Sequence, residues 1–162
     1  MRTSLLVLLA LLMVGCTSMP PCHFSGKANA APSAGCLVVA EQGVLLISSK
    51  NVGFGPPGGS VDPGESAQCG AERETWEEAG IEVVAGELSQ RFDNGFHLYW
   101  CDPIDEQNAT PKVLRAQEID SAGWYSPHQF SDLAWRFPGQ EKIIEQLIAE
   151  RYPDRTEEID NE

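Results

Sequence analysis

Alternating strand and helix signals place this chain in the α/β class. Two apolar, β-branched runs, at 34–39 and 44–48, precede a helix pattern bounded by Ser66 and Gly80. More strand-like runs follow. A last segment then carries Ile143, Ile144, Leu147 and Ile148 on one apolar stripe. The 162-residue length suits one such domain behind a leader. A composition 42% hydrophobic and 22% charged is that of a folding domain, not of a disordered chain.

The first two runs flank Glu41-Gln42-Gly43 and read as a β-hairpin. The segment NVGFGPPGG, 51–59, reads as a loop whose glycines permit close backbone approach and whose prolines stiffen the path. Phe54 is its one large apolar residue. Residues 61–65 make a further turn. Ser66 is a good N-cap and Gly80 a good C-terminal stop. Between them Ala71, Thr75 and Ala79 form a stripe suited to packing on a sheet. Glu74, Glu77 and Glu78, at i, i+3 and i+4, share another face.

Residues 81–84 and 88–92 read as strand pieces around Gly86, Asp93-Asn94-Gly95 as a hairpin turn, and 96–101 as the next strand. A polar loop, 102–111, leads to a short strand predicted at 112–115. Residues 118–125 pass into Ser126-Pro127, where proline at the first helical position starts a short helix through Leu133. Pro138-Gly139 opens the last helix, to about Tyr152. The acidic tail 153–162 reads as solvated.

The N-terminus carries its own signal. Arg2 and the apolar run 5–14 have the anatomy of a secretory leader, too short to span a bilayer as a mature helix. Met13-Val14-Gly15-Cys16 resembles a bacterial lipobox with Met13 in place of leucine. That resemblance implies removal of residues 1–15 and lipidation of Cys16, which anchors the chain in a membrane at the cell envelope, facing the periplasm. Thr17 favours the outer membrane over the inner. The alternative is an ordinary signal peptide cut after Gly15. Residues 16–33, rich in Pro, Ser, Ala and Gly, read as a tether in which Cys22 and Phe24 can dock on the body. Residues 34–152 read as the domain.

Assigning Cys16 to lipid leaves Cys22, Cys36, Cys69 and Cys101, an even number suited to an oxidising compartment. Three pairings are open, and so is a pair of buried thiols at Cys36 and Cys101. The three histidines are scattered, and no cysteine spacing suggests zinc.

The net charge of −13 argues against nucleic-acid binding, which relies on Lys and Arg to neutralise phosphates. The acidic helix face needs its own explanation, because three like charges on one face repel. A divalent cation relieves that repulsion, and hard cations such as Mg²⁺ take carboxylate oxygens and bridge to phosphates. Arg73 stands beside these acids to orient one of them. A spare glutamate can take a water's proton.

These residues match the Nudix box, G-x5-E-x7-R-E-U-x-E-E-x-G-U, with U a bulky aliphatic. Gly59, Glu65, Arg73-Glu74, Glu77-Glu78, Gly80 and Ile81 fall in register, and only Thr75 departs, at a packing position. The chain is thus identified as resembling the Nudix family over about 34–150. The resemblance implies an α/β/α sandwich with a mixed β-sheet. It also implies Mg²⁺-dependent hydrolysis of a nucleoside diphosphate linked to another moiety, with Mn²⁺ as a second possible ion. Glu74, Glu77 and Glu78 then stand as metal ligands, with the Gly58 carbonyl and Glu65 as further ones. Arg73 steadies loop and helix. Glu118 lies where relatives place an additional metal ligand or base, and the base is left open among Glu74, Glu77 and Glu118.

Substrate choice lies outside the box. Phe54, Phe96 and Tyr99 are candidates to stack a base, and Arg91, Lys112 and Arg115 to meet phosphates. The spacing from Ile81 to Tyr99 resembles a pattern in diadenosine polyphosphate hydrolases. A lipoprotein that binds nucleotide or metal without turnover is the alternative function.

Overall fold

The computed structural model of this chain describes residues 18–153. The leader, Cys16 and the tail beyond residue 153 lie outside the described residues. Seven strands, β1 (Ser33–Ala40), β2 (Gly43–Ser49), β3 (Gly53–Gly55), β4 (Gly58–Ser60), β5 (Val83–Arg91), β6 (Phe96–Pro103) and β7 (Ile119–Tyr125), form one mixed sheet. Helices α1 (Ala67–Ala79) and α2 (Gln140–Arg151) flank it.

β1 is the hinge of the topology. Its first half lies between β6, in parallel, and β4, in antiparallel register, and only its last two residues pair with β2. β7 and β3 pair with β2. Alternation along β1 sorts the core. Cys36 and Val38 face α1, with Ala71, Ala79 and Tyr99, whereas Leu37 faces α2, with Leu98, Phe130, Ile144 and Ile148. Helix on sheet on helix is the α/β/α sandwich expected.

α1 begins and ends where its caps dictate. Ser66 accepts a hydrogen bond from Cys69 N, and Gly80 takes the left-handed conformation, φ 66°, while its N–H closes on Trp76 O. Ala71, Thr75 and Ala79 are fully buried against the sheet, as their stripe predicts. On α2, Ile144 and Ile148 are buried but Ile143 is 39% exposed, so the buried stripe is narrower than expected.

Several elements differ from expectation. The loop 51–59 holds two short strands, β3 and β4, because glycine backbones lie close enough to β1 and β2 to pair. A Cβ on Gly58 would sit 2.6 Å from Gly35 Cα. The two strand pieces around Gly86 are one strand, β5, with a register shift between Ala85 and Leu88. Residues 112–115 form no strand: Lys112 N donates to Ala79 O at the end of α1 instead. Pro127–Asp132 is a 3₁₀ helix.

The tether docks on the body through Cys22, as expected, and does so over more of its length than that one residue. Its second half is tied along α1. Cys22 is disulfide-bonded to Cys69, His23 N donates to Glu72 Oε2 at 2.6 Å, and Ala67 N donates to Asn29 O at 2.8 Å. Gln68 adds two more bonds, from Asn29 N and to Lys27 O. The second disulfide, Cys36–Cys101, joins β1 to β6 inside the core. Of the three open pairings the structure takes Cys22–Cys69 and Cys36–Cys101.

Candidate active site

The site is built on α1 and the β4 segment that approaches it. Arg73 is its centre, with only 9% of its side chain exposed. Its Nε and Nη2 donate to the two oxygens of Glu65, each at 3.1 Å. Nη2 also donates to Ser60 O at 2.7 Å, and Nη1 to Glu74 Oε1 at 2.8 Å and Glu77 Oε2 at 3.3 Å. The planar guanidinium thus joins the loop, the start of the box and the acidic face, a geometry lysine does not offer.

Burial shapes the charges here. Desolvation pushes the Glu78 carboxyl up to about 7, even though its Oε2 accepts the Gly58 N–H at 2.8 Å. Desolvation also raises Glu74, against the pull of Arg73 and Arg115. Glu65 goes the other way: burial pushes it up, but the Arg73 hydrogen bond and charge and the Asp62 N–H outweigh it. Burial works against the Arg73 cation too, yet its bonds to Glu65 and Glu74 raise it further above its already high range. Gly59 must be glycine for Glu74 to stand where it does, since a Cβ there would lie 2.7 Å from the Glu74 carboxyl carbon.

A second arginine reaches the same acids from 41 residues away. Arg115 Nη2 pairs with Glu77 Oε2, and its Nη1 lies 3.4 Å from Glu74 Oε2 and 3.8 Å from Glu118 Oε2. Glu118 is exposed at the rim, before β7. So Glu65, Arg73, Glu74, Glu77, Glu78, Gly58, Glu118 and Arg115 are all drawn into one neighbourhood.

Among the described residues no three or more acid, His or Cys side chains are already gathered into a metal cage. The two arginines hold the carboxylates instead. The donor set nevertheless fits a hard divalent cation, being all oxygen and largely ionisable, and a guanidinium already stands across Glu74 and Glu77 as a positive charge. Glu74, Glu77 and Glu78 would hold such an ion, with Glu65 and Glu118 nearby.

Beside the acids lies a cleft of about 520 Å³. Gly58, Gly59 and Ser60 form its wall on the acid side; Phe96, Phe137, Arg136 and Gln140 line it elsewhere. Phe137 is 54% exposed at the rim, and Gln140 Oε1 is buried without a hydrogen-bond partner.

Of the expected substrate contacts only Phe96 lines this cleft. Tyr99 is fully buried in the core under α1, its hydroxyl accepting from Asn29 Nδ2 at 3.2 Å, so it reaches no substrate. A strand tyrosine on the inner face is packed by its alternation. Phe54 is packed edge-on against Tyr125, with centroids 5.4 Å apart. Arg91 lines an adjoining hollow between β5 and α2, which shares Phe92, Asp93 and Ile143 with the cleft. Lys112 is exposed at the C-terminal end of α1, where its backbone bonds Ala79. Sequence reasoning missed Arg136, Phe137 and Gln140. Their one signal was position, on the turn into the last helix.

An α/β/α sandwich with an arginine-clamped cluster of glutamates beside an open cleft has the make-up of a hydrolase. The family described as NUDIX domain matches residues 30–147, and the chain belongs to that family as a Nudix hydrolase. It is 28% identical over 120 residues to a MutT-like protein of Streptomyces ambofaciens, covering 70% of each chain. Its fold is similar to that of the MutT protein from Methanosarcina mazei Go1, with a TM-score of 0.60 and 23% identity over 79% of this chain and 99% of that one. It is also similar to an ADP-ribose pyrophosphatase from Streptococcus suis, with a TM-score of 0.60 and 18% identity over 74% and 90% of the two chains.

Proposed function

We propose that this chain hydrolyses the pyrophosphate bond of a nucleoside diphosphate linked to another moiety, with Mg²⁺ or Mn²⁺, at the bacterial cell envelope. The observation that carries the chemistry is the Arg73-clamped set Glu65, Glu74 and Glu77, with Glu78 bonded to Gly58. A divalent ion, when bound, screens pyrophosphate charge and makes a water easier to deprotonate. The chain's own residues do the rest. Arg73 fixes the directions of three carboxylates. Gly58 and Gly59 bring bare backbone to the boundary between acids and cleft. A glutamate of the set, or Glu118 at the rim, takes the proton of the attacking water.

The cleft suits the nucleoside. Phe96 and Phe137 line it with aromatic rings, and Gln140 adds a polar side chain. The name of one relative in fold, ADP-ribose pyrophosphatase, supports a nucleotide substrate for this chain. Two disulfides and the leader support a location outside the cytoplasm, with Cys16 as the anchor.

The experiment is a product assay with Mg²⁺ on dinucleotides, nucleotide sugars and triphosphates. Phosphoanhydride cleavage is expected with at least one of them. Glu77→Gln should lower kcat by about a hundredfold or more, and Phe137→Ala should raise KM while kcat holds. No product from any substrate, with metal still bound, would leave the non-catalytic reading standing. For the anchor, Cys16→Ala should move the protein from the membrane to the soluble fraction.

A further inference from the structure

Arg115 occupies the carboxylates assigned above to the divalent cation. Its guanidinium pairs with Glu77 Oε2, lies 3.4 Å from Glu74 Oε2 and reaches toward Glu118 Oε2 at 3.8 Å. Arg73 already holds Glu74 Oε1, so the second oxygen of that carboxylate faces Arg115. The acids are nearly buried, at 7% and 13% side-chain exposure, whereas Arg115 is 36% exposed and enters from an irregular segment. That segment is fixed through its backbone. Arg115 O accepts from Glu118 N and Ile119 N, Lys50 Nζ donates to Ala116 O, and Lys112 N to Ala79 O. The side chain can therefore swing out while the loop stays.

A divalent ion on Glu74 Oε2 and Glu77 Oε2 would stand against the Arg115 guanidinium on those same oxygens, and the two positive charges repel. We propose that Arg115 is a displaceable internal counter-ion: it neutralises Glu74 and Glu77 in the metal-free protein, and a divalent cation must expel it to bind. The inference rests on the metal-dependent reading above. It makes Arg115 a positioning residue with two stations. Expulsion leaves a cation at the rim of the site, where a phosphate-bearing substrate arrives, so metal loading and readiness for an anion become one event.

Mn²⁺ titration of the purified protein, followed by calorimetry or electron paramagnetic resonance, tests this. Arg115→Gln should bind Mn²⁺ roughly fivefold tighter than the parent, since a few partly exposed ion pairs no longer compete. Arg115→Lys, which keeps the competing charge, should restore affinity close to that of the parent. In the parent itself the Arg115 Nε–H resonance, identified by its loss in Arg115→Lys, should shift on addition of Mg²⁺. Equal or weaker Mn²⁺ binding by folded Arg115→Gln overturns the proposal, as does an unmoved resonance if Arg115→Gln does not fold. A parent that binds Mn²⁺ no better than Glu77→Gln overturns the metal-dependent reading itself, a different result from equal binding by parent and Arg115→Gln.

Discussion

The Glu78 carboxylate accepts the backbone N–H of Gly58 at 2.8 Å, which ties the acidic face of α1 to the strand that walls the cleft. Both partners are buried. The bond therefore sets where the acids stand relative to the cleft, and it draws the Glu78 proton affinity down against the desolvation that raises it.

The folded pKa of Glu78, about 7, lies above its ordinary value of 4.5, because desolvation disfavours the charged form. Folding thus binds this proton more tightly than the unfolded chain does. The stability from this group is complete below the unfolded pKa and is lost as pH rises through 7, in full on the order of 3 kcal/mol. Glu74 shifts in the same direction. Metal-free protein should lose stability to urea between about pH 5 and pH 8. Glu78→Gln should flatten that slope, and Mg²⁺ should remove most of it by favouring the ionised carboxylates.

Arg73 satisfies Glu65, Glu74 and Glu77 together from a nearly buried position. Arg73→Ala leaves buried carboxylates without their partner and should cost about 3–5 kcal/mol in urea unfolding. Arg73→Lys keeps the charge but cannot span loop and helix at once, so it should fall between. A loss under about 1 kcal/mol for Arg73→Ala would show that the clamp contributes little.

The two disulfides differ in access. Cys22 is exposed, whereas Cys36 and Cys101 are 0% and 2% exposed. Mild reductant on the native protein should open Cys22–Cys69 first, with Cys36–Cys101 reduced only on unfolding. Timed alkylation and mass spectrometry read the order, and the reverse order would contradict the fold. Removing Cys22 should destabilise the domain by about 2–4 kcal/mol, since the bond closes a long loop.

Which parts of this were legible in the sequence follows from range. The helix from Ser66 to Gly80, its packing stripe and its acid face all rest on spacings within a turn or two, where backbone geometry alone fixes who is a neighbour. The hairpins and the last helix were legible for the same reason. β3 and β4 were not, because a three-residue glycine strand has no side-chain pattern and forms only when another backbone lies alongside. Tyr99 misled because alternation tells which residues share a face, not which face meets solvent.

The chain's sequence by itself determined the α/β class, the Arg73–Glu74–Glu77–Glu78 arrangement on one helix, and the glycines that let backbone approach it. Only the tertiary structure decided that Cys22 strands the tether on α1, that Arg115 crosses 41 residues to stand on the same acids, and that Phe96, Phe137 and Gln140 face one cleft. The physical reason is strand order. β1 runs between β6 and β4, and that placement folds distant segments around one helix face. Local spacing carries no record of which strands will be neighbours.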